Sequence, residues 1–350
     1  MSTEAGCAAA GPAPPDGPAL PEVVNRGHPY ADRVGLAEAG LWLSAFYAAR
    51  HRHSPPELWR QRLAAGEIEW NGQRCRADGP LAAGDRLVWH RPPWREPAVP
   101  VLPGPVFDDG DLVAFAKPAG LPVLPAGGFL EHTLLKQIER QVRAGELDGA
   151  AGPPRPVHRL GRFTSGLLLC ARRSASRAWL SARLRDSTAL HPPDAPAAAG
   201  CRKLYRALSA PLPPELGLRP GGSLEVGTPI GRRPHPRLGD LWCAAAPEDP
   251  AALAARSRFT LLEPRPDAAL LEVEIATGRP HQIRIHAAAL GAPLLGDPLY
   301  GPGGIAAVAA LPGDGGYRLH AHRLCLPLPQ GGWLELEAPP PACLRAAADG

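Results

Sequence analysis

Strand-like segments recur between residues 106 and 345 with no regular helical crossover separating them, and this spacing most constrains the fold. Leu112-Val113-Ala114-Phe115 is apolar and ends in the rigid turn Lys117-Pro118-Ala119-Gly120. Leu167–Ala171 is a short apolar run, Lys203–Ser209 a further strand, and Leu271–Ile275 and Trp333–Ala338 alternate in polarity. Helical patterns are fewer: Thr133–Val142, Ser174–Leu184, and Gln282–Leu290 with Gly291 as its stop. A doubly wound parallel sheet needs strand and helix in strict alternation. This order predicts an α+β fold around a mixed, mostly antiparallel sheet.

Residues 1–25 are Ala-, Gly- and Pro-rich and read as a disordered tail. Residues 26–92 read as a small α+β domain. Leu36, Leu41, Leu43 and Phe46 can line one helix, and Pro55-Pro56 opens a second that Gly66 ends. Ile68-Glu69-Trp70 and Asn71-Gly72 predict a hairpin, and Gly84–Trp89 a last strand. The Pro-rich run 93–105 reads as a stiff linker to the main domain at 106–345. The stretches 187–200, 211–222 and 244–256 read as surface insertions.

The net charge of +4 permits an anionic partner without requiring one. Lys117, Lys136 and Lys203 are the only lysines among 38 basic residues, and this Arg bias travels with abundant Ala, Gly and Pro. Arg content alone is therefore weak support for nucleic-acid binding. Seven cysteines without C-x-x-C spacing give no zinc or redox-pair pattern and suit a reducing compartment. No segment has the length and apolarity of a membrane span or the pattern of a leader. The expectation is a cytoplasmic, monomeric protein that does not enter membranes.

The main domain carries six motifs in order. They are Asp109–Val123, His158–Ala171, Lys203–Leu208, Ala276–His286, and Gly296–Gly301 followed by Leu319-His320-Ala321-His322. Together they resemble the RluA-type RNA pseudouridine synthases. The preceding order of two helices, hairpin and Gly-Asp strand resembles the S4 RNA-binding domain, with Arg60, Arg62 and Arg33 in the positions that meet RNA. The resemblance implies isomerisation of a uridine within structured RNA. The C1′–N1 bond breaks, the uracil turns, and C5 rejoins the ribose, without metal or cofactor. The target base must first leave its stack.

Residue by residue, the resemblance gives Tyr205 the role of the stacking tyrosine. It gives Arg284 the role of the arginine that pairs with the catalytic aspartate, and Arg159 that of helping to expel the base. His158, Thr164 and Ser165 support the loop. Gly161 stands where the nucleophilic aspartate belongs, and glycine has neither nucleophile nor charge. Two accounts follow. In one, a carboxylate arrives from elsewhere, with Asp111, Asp240 and Asp297 as candidates by motif context. In the other, the chain binds RNA on the same fold without catalysing. His158, His281 and His286 do not make a metal site, because no carboxylate or cysteine lies at ligand spacing. The S4-like domain inclines the substrate toward ribosomal over transfer RNA, by resemblance alone.

Overall fold

In the computed structural model of the chain, residues 17–52, 54–185, 201–236, 239–310, 315–329 and 331–349 are described. They divide into two units. The smaller is Glu22–Pro97 together with Pro234–Leu241. The larger takes the residues up to Pro21, Ala98–Arg233 and Trp242 onward.

The larger unit is built on a ten-stranded sheet among the described residues. Its order is Ser223–Val226, Ser257–Arg265, Ala268–Ile275, Arg202–Ser209, Leu319–Pro327, Thr164–Ala171, Leu112–Lys117, Phe107–Asp108. Arg155–Pro156 pairs with Thr164–Ala171, and Trp333–Glu337 with Leu319–Pro327. The pairings are antiparallel except one: Thr164–Gly166 runs parallel to Leu319–Ala321. The expected mixed, mostly antiparallel α+β architecture is what forms. Each expected helix is present, as Leu134–Ala144 (capped by the Thr133 side chain), Ser174–Arg185 and Gln282–Ala289.

Register places the residues that matter. Val273, Tyr205, Ala321, Gly166 and Lys117 form one row across five strands. The next row, Leu271, Ala207, Leu319 and Thr164, faces the same way. Helix Gln282–Ala289 packs on that face, with Ile283 and Ala287 in one core cluster with Ala207, Val273, Leu319, Phe163 and Tyr317. Ser165, His320 and Arg206 alternate onto the opposite face.

The smaller unit pairs helices Leu43–Arg50 and Pro56–Ala64 with the strands His28–Arg33, Arg86–Arg91, Ile68–Trp70 and Gln73–Cys75. Asn71 and Gly72 take positive φ of 51° and 84°, the hairpin geometry that their identity predicts. The first helix differs from expectation. Leu36–Glu38 is only a 3₁₀ turn and the helix begins at Leu43, because Gly40 breaks the run at φ 86°.

The two segments expected to lack structure pair with each other where they are described. Val23–Val24 joins Arg95–Glu96, and Ala19–Leu20 joins Val99–Pro100. Buried Asn25 donates to buried Glu96 at 2.6 Å, a contact between distant residues that neither composition reveals. Residues 1–16 and 186–200 lie outside the described residues.

Candidate active site

The His158–Phe163 loop is held by backbone-directed contacts. Lys117 is buried, and its ammonium donates to the carbonyls of Pro118 (2.8 Å), Leu121 (2.8 Å) and Arg162 (3.0 Å). Burial, then the Arg162 charge, pulls its pKa down to about 7. Three carbonyl acceptors nonetheless use all three ammonium protons, so the hydrogen bonding favours the charged form. Gly120 N–H also donates to the Arg162 carbonyl at 2.9 Å, and Arg162 Nε returns a bond to the Gly120 carbonyl. His158 Nε2 accepts the Leu169 N–H at 3.0 Å. Burial, then the nearby Lys203 charge, lowers its pKa to about 4, so it is a neutral acceptor that ties the loop to its strand. Sequence reading gave His158 this supporting role but missed Lys117. A lone lysine after an apolar strand carries no signal of the carbonyls it will meet.

Tyr205 is half-buried on the sheet and touches both core clusters of the larger unit. Burial pushes its pKa up to about 12, so the phenol is neutral near pH 7. It shares its face of the sheet with Thr164 and with the helix that carries Arg284. Arg159 is exposed in the loop. No hydrogen bond or ion pair joins Arg159, Tyr205 and Arg284 among the described residues. The three share a region, not a contact network.

Arg284 is buried and has a carboxylate partner. Nε and Nη2 each lie 2.7 Å from an oxygen of Asp297. This is a two-point ion pair with both side chains nearly inaccessible, at 3% and 0% exposure. Asp297 Oδ1 also accepts the backbone N–H of Leu299 (3.0 Å) and Tyr300 (3.3 Å). The guanidinium is packed between the rings of Tyr300 and Tyr317, with centroids at 4.9 and 4.1 Å. Asp297, one of three candidates for a replacement carboxylate, is thus the one that reaches Arg284. Its oxygens are nevertheless committed and closed off, so it balances the arginine's charge and is not an open nucleophile.

Neither of the other two candidates bonds to Arg284 among the described residues. Asp111 accepts from Arg173 N–H and Ser176 Oγ, holding the start of helix Ser174–Arg185. It lies at the far end of the strand whose Lys117 end meets the loop, so about 20 Å of extended chain intervenes. Asp240 is exposed on the strand Gly239–Ala244. Two concavities of about 430 and 510 Å³ are lined by none of Arg159, Gly161, Tyr205 and Arg284. The first is lined by Asp109, Asp111 and Trp179, the second by Arg202, Arg323 and Glu335.

At Gly161 the missing side chain is replaced in space. A Cβ built there would lie 2.1 Å from Tyr317 Oη and 3.4 Å from Thr164 Oγ1. Thr164 Oγ1 and Tyr317 Oη are 3.3 Å apart. The position expected to be vacant is filled by a phenol. Tyr317 lies outside every motif read from the sequence, and only its contact with Gly161 reveals it.

Other residues named from the sequence have the following partners. Ser165 points away from this face and donates to His320 Nδ1 at 2.8 Å, whose Nε2 donates to the Ala338 carbonyl. The three histidines considered for a metal have separate partners: His158 with Leu169, His281 with Tyr300, and His286 with Ser257 and Thr228. In the smaller unit Arg62 does not present an open cation. Its guanidinium covers Trp59 and Trp89 at 4.2 and 4.6 Å and donates to Ser54, so it closes an aromatic stack. Arg60 is exposed and pairs with Glu57 at 2.9 Å.

Comparison with known proteins agrees with the geometry. The family model described as RNA pseudouridylate synthase matches residues 111–289, from within the first motif to the end of the Arg284 helix. An uncharacterised RNA pseudouridine synthase of Synechocystis is 42% identical over 282 residues, covering 80% of this chain and 87% of the relative. A ribosomal large subunit pseudouridine synthase D of Zymomonas mobilis is 33% identical over 198 residues, 56% of this chain and 55% of that one. Among solved structures, human RNA pseudouridylate synthase domain containing 4 shares the fold, with a TM-score of 0.50 and 21% identity over 69% of this chain and 90% of that one. Loop, sheet face, Arg284 helix and extended sequence similarity agree, and the chain belongs to the RNA pseudouridine synthase family.

Proposed function

We propose that this chain isomerises uridine to pseudouridine in structured RNA, ribosomal RNA in preference to transfer RNA, with an oxygen nucleophile that does not come from position 161. The observation that carries this reading is the preserved frame. A loop fixed by Lys117 and His158, the half-buried Tyr205 and the ion-paired Arg284 share one face of the sheet. A surface that only binds RNA needs none of that buried polar machinery, which is costly unless satisfied.

RNA contact is assigned to the smaller unit as an S4-like domain. Arg33 and Arg86 face each other across paired strands and are both exposed. Like charges directly opposite are destabilising unless an anion lies between them, and a phosphate fits. The ribosomal preference is supported by this unit and by the name of the Zymomonas relative. The described cysteines are free thiols, which supports action in a reducing cytoplasm, and we assign the protein as a monomer.

The test is pseudouridine mapping in ribosomal and transfer RNA from cells lacking the gene, after incubation with the purified chain. New pseudouridine in ribosomal RNA is the expected outcome, and none in either RNA defeats the reading. RNA affinity is measured in parallel at two salt concentrations for the full chain, for Arg33→Ala/Arg86→Ala, and for residues 101–350. Equal affinity and salt slope in all three would remove the RNA role of the smaller unit.

One observation favours the second reading, an RNA-binding protein without catalysis. Asp297 is closed off, and Gly161 has no side chain. RNA binding with no product would establish it.

A further inference from the structure

We propose that Tyr317 is the nucleophile, its phenol oxygen taking over the attack on ribose C1′ that an aspartate at 161 would make. This rests on the synthase reading above. Three observations place the oxygen there. Tyr317 Oη occupies the volume in which the side chain of residue 161 would begin, 2.1 Å from an ideal Cβ. Thr164 Oγ1, 3.3 Å away, can donate to the oxygen as it gains charge. The Arg284 guanidinium lies 4.1 Å from the centre of the Tyr317 ring and holds that ring against the loop. Asp297 holds that arginine in place. Tyr317 is itself buried at 3%, but Gly161, which its oxygen touches, is half-exposed and carries no side chain. Glycine at 161 then has a positive role: any larger residue would displace the phenol.

Tyrosine serves as a glycosyl acceptor in some glycosidases, so the chemistry has a general precedent. In the first step Oη bonds to C1′ as the C1′–N1 bond breaks with its electron pair passing to N1, and the phenol proton moves to N1. In the second step, after the uracil turns, C5 bonds to C1′ as the C1′–Oη bond breaks. The proton lost from C5 returns to the phenolate. The product carries hydrogen on N1 and none on C5, the tyrosine is regenerated, and no oxidant or metal enters.

The experiment compares the full-length wild type, Tyr317→Phe, and Gly161→Asp/Tyr317→Phe. Each is assayed for single-turnover pseudouridine formation on RNA from cells lacking the gene, with RNA affinity measured alongside. Tyr317→Phe keeps the ring over Arg284 and removes one oxygen. Its expected effect is a loss of at least about 10³-fold in rate with affinity within about twofold. The double variant makes room at 161 and supplies a carboxylate, and its expected effect is recovery of at least about tenfold over Tyr317→Phe. A purely structural hydroxyl would not be replaced by a carboxylate from another residue. Tyr317→Phe within about threefold of wild type overturns the proposal while leaving the synthase reading intact. A slow Tyr317→Phe that the double variant fails to restore overturns it as well. A silent wild type overturns both.

Discussion

At the scale of the residue, the fold's most informative contact is the one between Gly161 and Tyr317. A methyl group at 161 would have to displace a phenol oxygen at 2.1 Å, and the ring behind it is buried between Arg284 and Phe163. Gly161→Ala is therefore expected to destabilise the protein by about 1–3 kcal/mol, the usual cost of overpacking. In a Tyr317→Phe background much of that cost should vanish, because the atom in conflict is gone. A double-mutant cycle by urea denaturation measures the coupling. Additive effects would show that the two residues do not compete for space. The same contact explains why Gly161→Asp alone is a poor test of lost activity: the variant disturbs its own site.

At the scale of the element, strand Leu112–Lys117 and the loop after His158 act as one piece through Lys117. Three carbonyls depend on one ammonium, and only one of them, that of Arg162, belongs to the loop. Lys117→Met keeps the length of the side chain and removes every donor. The expected cost is about 2–4 kcal/mol, because the Pro118 and Leu121 carbonyls lose their donor and the Arg162 carbonyl keeps only the Gly120 N–H. Amide hydrogen exchange should rise in residues 158–166 before it rises in the central strands. Protection in that loop equal to wild type would mean that Gly120 and His158 suffice to hold it. Gly166 shows the same dependence on neighbours: at φ 98° its ideal Cβ lies 2.2 Å from the Ala321 carbonyl, so the short parallel pairing there requires glycine.

At the scale of the whole molecule, several buried histidines are kept neutral, and acid stability follows. His286 is fully buried, bonded to Ser257 and to the Thr228 carbonyl, and burial lowers its pKa from 6.5 to about 4. His320 is lowered to about 4 by the same cause, against the opposing effect of its bond to Ala338. Because the folded values are lower, the unfolded chain binds more protons between pH 6.5 and 4. Stability is therefore full above pH 6.5 and falls as pH drops toward 4. Each of the two histidines contributes at most about 3 kcal/mol to that fall. The urea midpoint should decline steeply from pH 7 to 4.5, and less steeply in His286→Gln. A midpoint that is flat over that range would contradict the assignment of neutral imidazoles.

The sequence by itself determined the class of fold, the helices and half of the strands of the large sheet, and the motifs that identify the family. These depend on local pattern: alternation, capping residues and turn chemistry act within a few positions. It was also enough to show that Gly161 lacks what its loop would carry. It did not show the strands Ser257–Arg265 and Leu319–Pro327, where a proline and two buried histidines interrupt the pattern. Nor did it show that Arg62 closes an aromatic stack, that Asp297 neutralises Arg284, or that a phenol more than 150 residues away fills the space at 161. Those depend on which side chains the sheet register and the helix packing bring together. A residue's partner across the fold leaves no mark on its neighbours in the chain, so only the tertiary structure decided which oxygen stands at the centre of the site.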